Sequence, residues 1–208
     1  MTAVIIPTLD PDSEMCRTAV AAVEETADVE IIVEHDALRA GFAETCNAAA
    51  ARTTADRLVF LNDDTIVLPG WSESLLGAVV PGVIAGAHLM YPDGTTQHGG
   101  VRLRRDPEGR LEAYNVRSPG RSGEVPAVTG ACLAITRQDW DQLEGFDEAF
   151  VNGYEDVDLC LRMWQAGGTV RYVAEAQVIH LESQTPGRFA HAPQNIALLQ
   201  DRWGHLPI

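Results

Sequence analysis

Short apolar runs alternate with amphipathic stretches along the first half of the chain. The runs are rich in β-branched residues, which is typical of buried strands, and they are Ala3–Ile6, Val29–Val33, Leu58–Leu61 and Val83–Ala87. Apolar residues at helical spacing fill the gaps and predict helices from Asp10 and Pro11 to Thr26, over Gly41–Arg52 and over Trp71–Val80. This alternation predicts an α/β fold, with a mostly parallel, Rossmann-like sheet flanked by helices.

The pattern changes after Tyr91, and the second half predicts a smaller, antiparallel part. The stretch Arg102–Gly123 is charged, carries Gly and Pro and lacks a period, which indicates a hairpin or a mobile loop. A lid over a neighbouring cleft and an inert surface hairpin are equally compatible with it. The remaining predicted elements are a strand over Ala127–Thr136, helices over Arg137–Leu143 and Asp156–Gln165, edge strands over Thr169–Val173 and Gln177–His180, and a helix over Phe189–Trp203.

Composition narrows the class of protein. The chain has 208 residues, 46% of them apolar, which suits one folded domain over residues 1–208. A net charge of −15 argues against binding to a nucleic acid backbone or an anionic membrane. We expect no signal peptide and no transmembrane segment, and reduced thiols in a cytoplasmic protein, because the four cysteines form no Cys-x-x-Cys pair. Homo-oligomerisation stays open.

Two acidic clusters stand where a cleft is expected. Asn62-Asp63-Asp64 ends a buried strand, and Glu155-Asp156 opens an amphipathic helix. Carboxylates at such a strand end are costly unless a cation lies beside them, and a divalent metal is the usual partner. The plain structural explanations are a capping turn for the first cluster and acids favoured by the helix dipole for the second. Asp158 fits the structural explanation better, because Arg162 lies one helical turn away.

Three groups of motifs resemble the family-two glycosyltransferases of GT-A fold. The first half carries Val4-Ile5-Ile6-Pro7-Thr8, Gly41-Phe42 with Asn47, and Phe60-Leu61-Asn62-Asp63-Asp64-Thr65. The segment Tyr91–Gly100 resembles bacterial rhamnosyltransferase-like members. The most specific block runs through Thr129-Gly130-Ala131-Cys132, Gly145-Phe146-Asp147-Glu148, Tyr154–Arg162 and His180-Leu181-Glu182-Ser183. Asp10 stands where Asn is common in the family, and Glu34 stands where Asp is common.

The resemblance implies a metal-dependent, inverting transferase that uses a nucleotide-sugar donor. Asp64 of the DXD-type motif and His180 would be the protein ligands of Mn²⁺ or Mg²⁺, which neutralises the leaving diphosphate. Asp156 would be the catalytic base toward a hydroxyl acceptor, and Glu155 would orient it or bind the acceptor. Pro7, Thr8, Glu34, Gly41, Asn62 and Asp63 would bind the donor.

Within that donor set, Glu34 would face the nucleobase, which favours a pyrimidine. Residues 1–98 would form the nucleotide-sugar-binding half, and residues 99–208 would form the acceptor and catalytic half. The transferred group would be a hexosyl or deoxyhexosyl unit.

Two other classes of protein compete with this interpretation. A nucleotidyltransferase would share the sheet and the acids, but it needs a Gly-rich, basic phosphate loop, which Pro7-Thr8-Leu9-Asp10 does not provide. A non-catalytic nucleotide-sugar-binding module is the other alternative. The joint presence of Asp64, Asp156 and His180 argues against it.

Overall fold

The computed structural model describes residues 1–181 and 190–207. Its strands are β1 (Thr2–Thr8), β2 (Glu30–His35), β3 (Arg57–Leu61), β4 (Thr65–Val67), β5 (Val83–Met90), β6 (Thr96–His98), β7 (Val101–Arg105), β8 (Leu111–Asn115), β9 (Gly123–Glu124), β10 (Cys132–Thr136) and β11 (Thr169–His180). Its helices are α1 (Glu14–Thr26), α2 (Phe42–Ala50), α3 (Trp71–Gly77), α4 (Arg137–Gln142), α5 (Glu155–Gln165) and α6 (Ala192–Trp203).

A mixed sheet forms the centre of the molecule. Its order is β2-β1-β3-β10-β5-β11-β4, with β6 beside β5 and β9 beside β11. The pairs β1/β2, β1/β3 and β5/β11 are parallel, whereas β10 runs antiparallel between β3 and β5. The sheet brings the ends of β1 and β3 to one edge. The predicted mostly parallel α/β fold is confirmed.

Helices cover both faces of the sheet and create two apolar layers. Helices α1 and α3 pack against the face that presents Val4 and Val59. Helices α2, α4, α5 and α6 cover the other face, where Phe60, Trp140 and Phe146 form a cluster of aromatic rings with centroids 4.6–5.1 Å apart. The period-two alternation of each strand supplies both layers, because successive side chains point to opposite faces.

Three predicted boundaries are wrong, and the simplest of them is the strand predicted over Ala127–Thr136, which begins only at Cys132. Helix α1 begins at Glu14 rather than near Pro11, because Ser13 is the residue whose side chain accepts a hydrogen bond from the Cys16 amide (3.1 Å). The two predicted edge strands near the C-terminus form one interior strand, β11, which lies between β5 and β4. An irregular register between Val173 and Gln177 interrupts its alternation and divides it in the sequence pattern.

The charged stretch of the second half contains the antiparallel hairpin β7–β8, as predicted. Its far end contacts the C-terminal helix, since Gln200 hydrogen-bonds both the amide and the carbonyl of Leu111 (2.8 and 2.7 Å). The predicted helix over Phe189–Trp203 is found as α6, although Phe189 itself lies outside the described residues, as do Glu182 and Ser183. In the described part of the chain, no helix is both long enough and apolar enough to span a bilayer.

Candidate active site

A cleft of about 740 Å³ opens at the edge where β1 and β3 end. Its walls also include the β2–α2 loop, the start of α5 and the inner side of hairpin β7–β8. Among the described residues, Arg39 is the one basic residue that lines the cleft. Six acidic residues also line it: Asp10, Asp36, Asp63, Asp64, Glu155 and Asp156. Such a surface repels a diphosphate unless a cation enters with it.

The Asn62-Asp63-Asp64 turn is held against β1 and the sheet. The Thr8 hydroxyl donates a 2.5 Å hydrogen bond to the Asp63 carboxylate, and the backbone N–H of Asn62 donates to the Ala131 carbonyl at 3.0 Å. Burial raises the pKa of Asp63, the Thr8 hydroxyl opposes that rise, and the neighbouring Asp64 carboxylate adds to it. These three acidic-turn residues, together with Pro7 and Thr8, line the cleft.

The carboxylate of Asp64 meets the imidazole of His180. Strand β11 pairs with β4 so that His180 lies opposite Thr65, next to the acidic turn. Oδ1 of Asp64 lies 3.0 Å from Nε2 of His180, is buried, and accepts no hydrogen bond from the described residues. Both side chains are largely buried, with 7% and 4% of their surface exposed. The predicted pair of metal ligands therefore comes together, with Asp64 in the cleft lining and His180 outside it.

This arrangement fits a divalent cation that the donor helps to hold. Asp64 Oδ1 and His180 Nε2, which lie 3.0 Å apart, would offer such an ion one carboxylate oxygen and one imidazole nitrogen. A cation would also satisfy the orphaned oxygen of Asp64. Within residues 1–181 and 190–207, no cluster of three or more His, Cys, Asp or Glu side chains forms a complete metal cage. The remaining ligands would have to come from the diphosphate and water.

The predicted catalytic pair opens helix α5. Asp156 lines the cleft, and its Oδ2 accepts a 2.8 Å hydrogen bond from the Gly130 amide. A Cβ on Gly130 would lie 3.2 Å from the Phe42 ring and 3.5 Å from the Cβ of Asp156, so glycine permits this close approach. Glu155 accepts a 2.6 Å hydrogen bond from the Gly153 amide, which holds the loop in front of the helix.

Left-handed backbone conformations concentrate around the cleft. Arg39, Asn152 and Tyr154 have φ values of 55°, 53° and 72°, and all three line the cleft. Non-glycine residues adopt this region rarely, and such strain persists where the surroundings enforce it. Asn195 supplies part of that enforcement, because its amide bonds both the N–H and the C=O of Val151 (3.2 and 2.8 Å).

Asp158 belongs to the same helix but serves the core. It is fully buried and bonds Arg162 (2.7 Å), Arg202 (3.2 Å) and the Trp203 indole N–H (2.9 Å). Arg162 extends this network to the Leu143 and Gly145 carbonyls. The predicted Asp158–Arg162 pair is confirmed, and it anchors α5 to α6.

Two of the predicted donor-binding residues lie outside the cleft lining. Glu34 forms an ion pair with Arg52, and Gly41 donates to Asp36 at 3.0 Å at the start of α2. Asp36 lies two positions after Glu34, directly beyond the end of β2, and it lines the cleft. Sequence reasoning missed Asp36 and Arg39; their place in the loop directly after the strand was the signal that could have found them.

A buried histidine connects the hairpin to the catalytic region. His98 is fully buried, its Nε2 accepts from the Thr129 amide (3.4 Å), and its Nδ1 lies 3.1 Å from Oδ1 of Asn115. Asn115 and the adjoining Val101 line the cleft. Because Nε2 accepts, Nδ1 carries the proton and donates to Asn115.

Sequence comparison assigns the family. Residues 2–203 match the family described as Glycosyltransferase like family 2, and the chain belongs to that family. It is 36% identical over 149 residues to the O-antigen biosynthesis protein RfbC of Myxococcus xanthus, covering 66% of this chain and 12% of that protein. It is 34% identical over 180 residues to an N-acetylglucosaminyl-diphospho-decaprenol L-rhamnosyltransferase of Mycobacterium tuberculosis, covering 74% and 59%. The chain thus spans less than two thirds of either relative.

Solved structures agree with the fold. GalNAc-T7, crystallised with UDP, GalNAc and Mn²⁺, superposes with a TM-score of 0.74 at 14% identity, covering 96% of this chain and 47% of that one. The mannosyltransferase PcManGT from Pyrobaculum calidifontis, in complex with GDP-Man and Mn²⁺, gives 0.67 at 13% identity, covering 99% and 65%. The chain is a glycosyltransferase domain of GT-A fold.

Proposed function

We propose that this domain is a metal-dependent, inverting glycosyltransferase that moves a hexosyl or deoxyhexosyl unit from a nucleoside diphosphate sugar to an acceptor hydroxyl. The observation that carries the proposal is the contact between Asp64 Oδ1 and His180 Nε2, in which Asp64 lines a cleft with five other carboxylates and His180 lies buried behind it. Mn²⁺ or Mg²⁺ bound there would neutralise the departing diphosphate as a Lewis acid. Asp64 and His180 would hold the ion.

The donor would lie along the ends of β1 and β3. Pro7, Thr8, Asn62 and Asp63 supply the wall at this edge, where α/β sheets bind nucleotides. Glu34 remains our predicted contact to a pyrimidine base, and Asp36 is a second candidate because it reaches the cleft. Comparing UDP binding by the Glu34→Gln and Asp36→Asn variants distinguishes the two candidates. The variant that lacks the contact to the base should bind UDP more weakly.

Asp156 would act as the general base. A direct displacement needs a base beside the acceptor hydroxyl, on the face of the sugar opposite the leaving group. Asp156 faces the cleft from helix α5, and the Gly130 amide fixes one of its oxygens. Its other oxygen accepts a 2.7 Å hydrogen bond from the Val157 amide, so the carboxylate is oriented before substrate binds. Glu155 would position it by holding the strained loop.

The two halves of the chain would have different roles in the reaction. We propose that residues 1–98 bind the nucleotide sugar and that residues 99–208 carry the acceptor wall and the base. The four cysteines are free and buried, which suits the reducing cytoplasm where we place the domain. The wall formed by hairpin β7–β8 would face the acceptor, because Val101, Ala113 and Asn115 line that side.

Two measurements test the proposal. Thermal shifts should identify a nucleotide sugar that stabilises the domain with Mn²⁺ and fails to do so with chelator. NMR of the product formed from that donor should then show an inverted anomeric configuration. Retained configuration would contradict the role of Asp156, and equal stabilisation with chelator would contradict the metal.

A further inference from the structure

The imidazole of His180 is held by the side chain of Gln97, which lies outside both the acidic turn and helix α5. Gln97, on the short strand β6, accepts from Nδ1 of His180 through its Oε1 at 2.5 Å. Its Nε2 donates to the backbone carbonyl of the same residue, His180, at 3.2 Å. Both residues are buried, with 3% and 4% of their surface exposed.

The two contacts together fix the direction of the Gln97 amide. The His180 carbonyl only accepts, so it must face the NH₂ end of the amide, which leaves Oε1 for the ring. Oε1 only accepts as well, so Nδ1 of the ring must carry the proton. The neutral ring then keeps its lone pair on Nε2, the atom that lies 3.0 Å from Asp64 Oδ1.

A neighbouring contact supports the same tautomer. The side-chain nitrogen Nδ2 of Asn62 lies 3.4 Å from Nε2 of His180, as expected for a donor directed toward a lone pair. Because the contact with Gln97 places the proton of the neutral ring on Nδ1, Nε2 has no proton to donate to Asp64 Oδ1, which lies 3.0 Å away. The unprotonated nitrogen and the carboxylate oxygen therefore face each other as two donors of electron pairs.

We infer that Gln97 is a positioning residue that prepares His180 for the metal by fixing its tautomer and ring orientation. The inference rests on the proposed function, in which His180 is a ligand. Partners of this kind on a metal-binding histidine typically change metal affinity by roughly 10- to 100-fold. Gln97 lies beside His98 on β6, so one short strand supports both the metal side and the acceptor side of the cleft.

The test combines a tautomer measurement with metal binding. ¹⁵N NMR of metal-free protein with labelled histidine, at about pH 8.5 where free imidazole is neutral, should show the Nδ1–H form of His180 in the wild type. Gln97→Met should shift it toward Nε2–H, whereas Gln97→Glu should keep Nδ1–H. Calorimetry with Mn²⁺ and UDP should show roughly 10- to 100-fold weaker Mn²⁺ binding in Gln97→Met and retained affinity in Gln97→Glu.

The matched control is Gln200→Met. Gln200 makes the same two-point contact, to the amide and carbonyl of Leu111, away from the cleft. It should lose stability yet keep wild-type Mn²⁺ affinity. An unmoved tautomer or wild-type affinity in Gln97→Met, or a large loss of affinity in folded Gln97→Glu, would overturn the inference. Failure of the proposed function gives a different result, namely a wild type that binds no Mn²⁺ with UDP while the tautomer still follows Gln97.

Discussion

The Gly130 amide donates a 2.8 Å hydrogen bond to Oδ2 of Asp156, and this contact joins the segment before β10 to the first turn of α5. It places the proposed base beside the strand that crosses the middle of the sheet in the antiparallel direction. The carboxylate is therefore oriented by the fold itself, and substitutions on either side of the contact should affect chemistry more than donor binding.

We expect Asp156→Asn to bind donor normally and to transfer sugar roughly 10²- to 10⁴-fold more slowly, because the amide cannot take a proton and its NH₂ group replaces one of the two oxygens that accept from the Gly130 and Val157 amides. Glu155→Gln should be milder, since its Gly153 contact can be kept by the amide oxygen. Steady-state rates and donor calorimetry measure the two effects. A normal rate in Asp156→Asn would exclude it as the base.

A second test disturbs the segment that orients the carboxylate without removing the carboxylate. Gly130→Ala would place a methyl group 3.2 Å from the Phe42 ring and in ordinary contact with Asp156 Cβ at 3.5 Å, so either Phe42 or the Gly130 backbone that donates to Asp156 must shift. We expect a lower kcat with little change in Mn²⁺-dependent UDP affinity. If kcat is unchanged, the orientation of Asp156 by this segment does not matter for the reaction.

Asp158 should matter for stability rather than chemistry. It is fully buried and bonds Arg162, Arg202 and Trp203, so Asp158→Asn removes the buried charge that these partly exposed arginines share. We expect a loss of about 1–3 kcal/mol in the free energy of unfolding. Asp141→Asn, which breaks an exposed 3.6 Å pair with Arg137, should cost less than about 1 kcal/mol. Urea unfolding compares them; equal effects would contradict the anchoring role.

His98 should make stability depend on pH. Burial lowers its pKa from 6.5 to about 4, so the unfolded chain binds a proton that the native state refuses between those values. Stability is then retained above about pH 6.5 and falls as the pH drops toward 4, by at most roughly 3 kcal/mol. Urea unfolding of His98→Gln should show a smaller loss over this window. Identical slopes in both proteins would contradict the assignment.

The sequence predicted where the strands lie better than the order in which they pair. Apolar runs such as Leu58–Leu61 identify strands because burial leaves a local pattern. The antiparallel insertion of β10 depends on pairing between distant residues, such as Ala134 with Val59 and Ala85, which no local pattern encodes. Strand β4 was missed because only Thr65–Val67 follow the acidic turn.

The same limit applies to the site. The acidic motifs and His180 were predicted because their strand-end positions and family resemblance point to chemistry. Gln97 could not be found in that way, since its role exists only once β6 lies beside the end of β11. Likewise, Glu34 lies near the end of β2 and Asp36 directly follows that strand, and only the structure shows which of them lines the cleft.

The central claim is that the acidic cleft binds a donor diphosphate through a metal held by Asp64 and His180. Calorimetry of UDP binding, with and without Mn²⁺, tests it most directly in the wild type, Asp64→Ala and Asp10→Ala. Asp10→Ala removes the same charge from the same cleft without touching the His180 pair. We expect Mn²⁺-dependent binding in the wild type and in Asp10→Ala, and the loss of this binding in Asp64→Ala. Equal UDP affinity in all three proteins, or in the wild type with chelator, would contradict it.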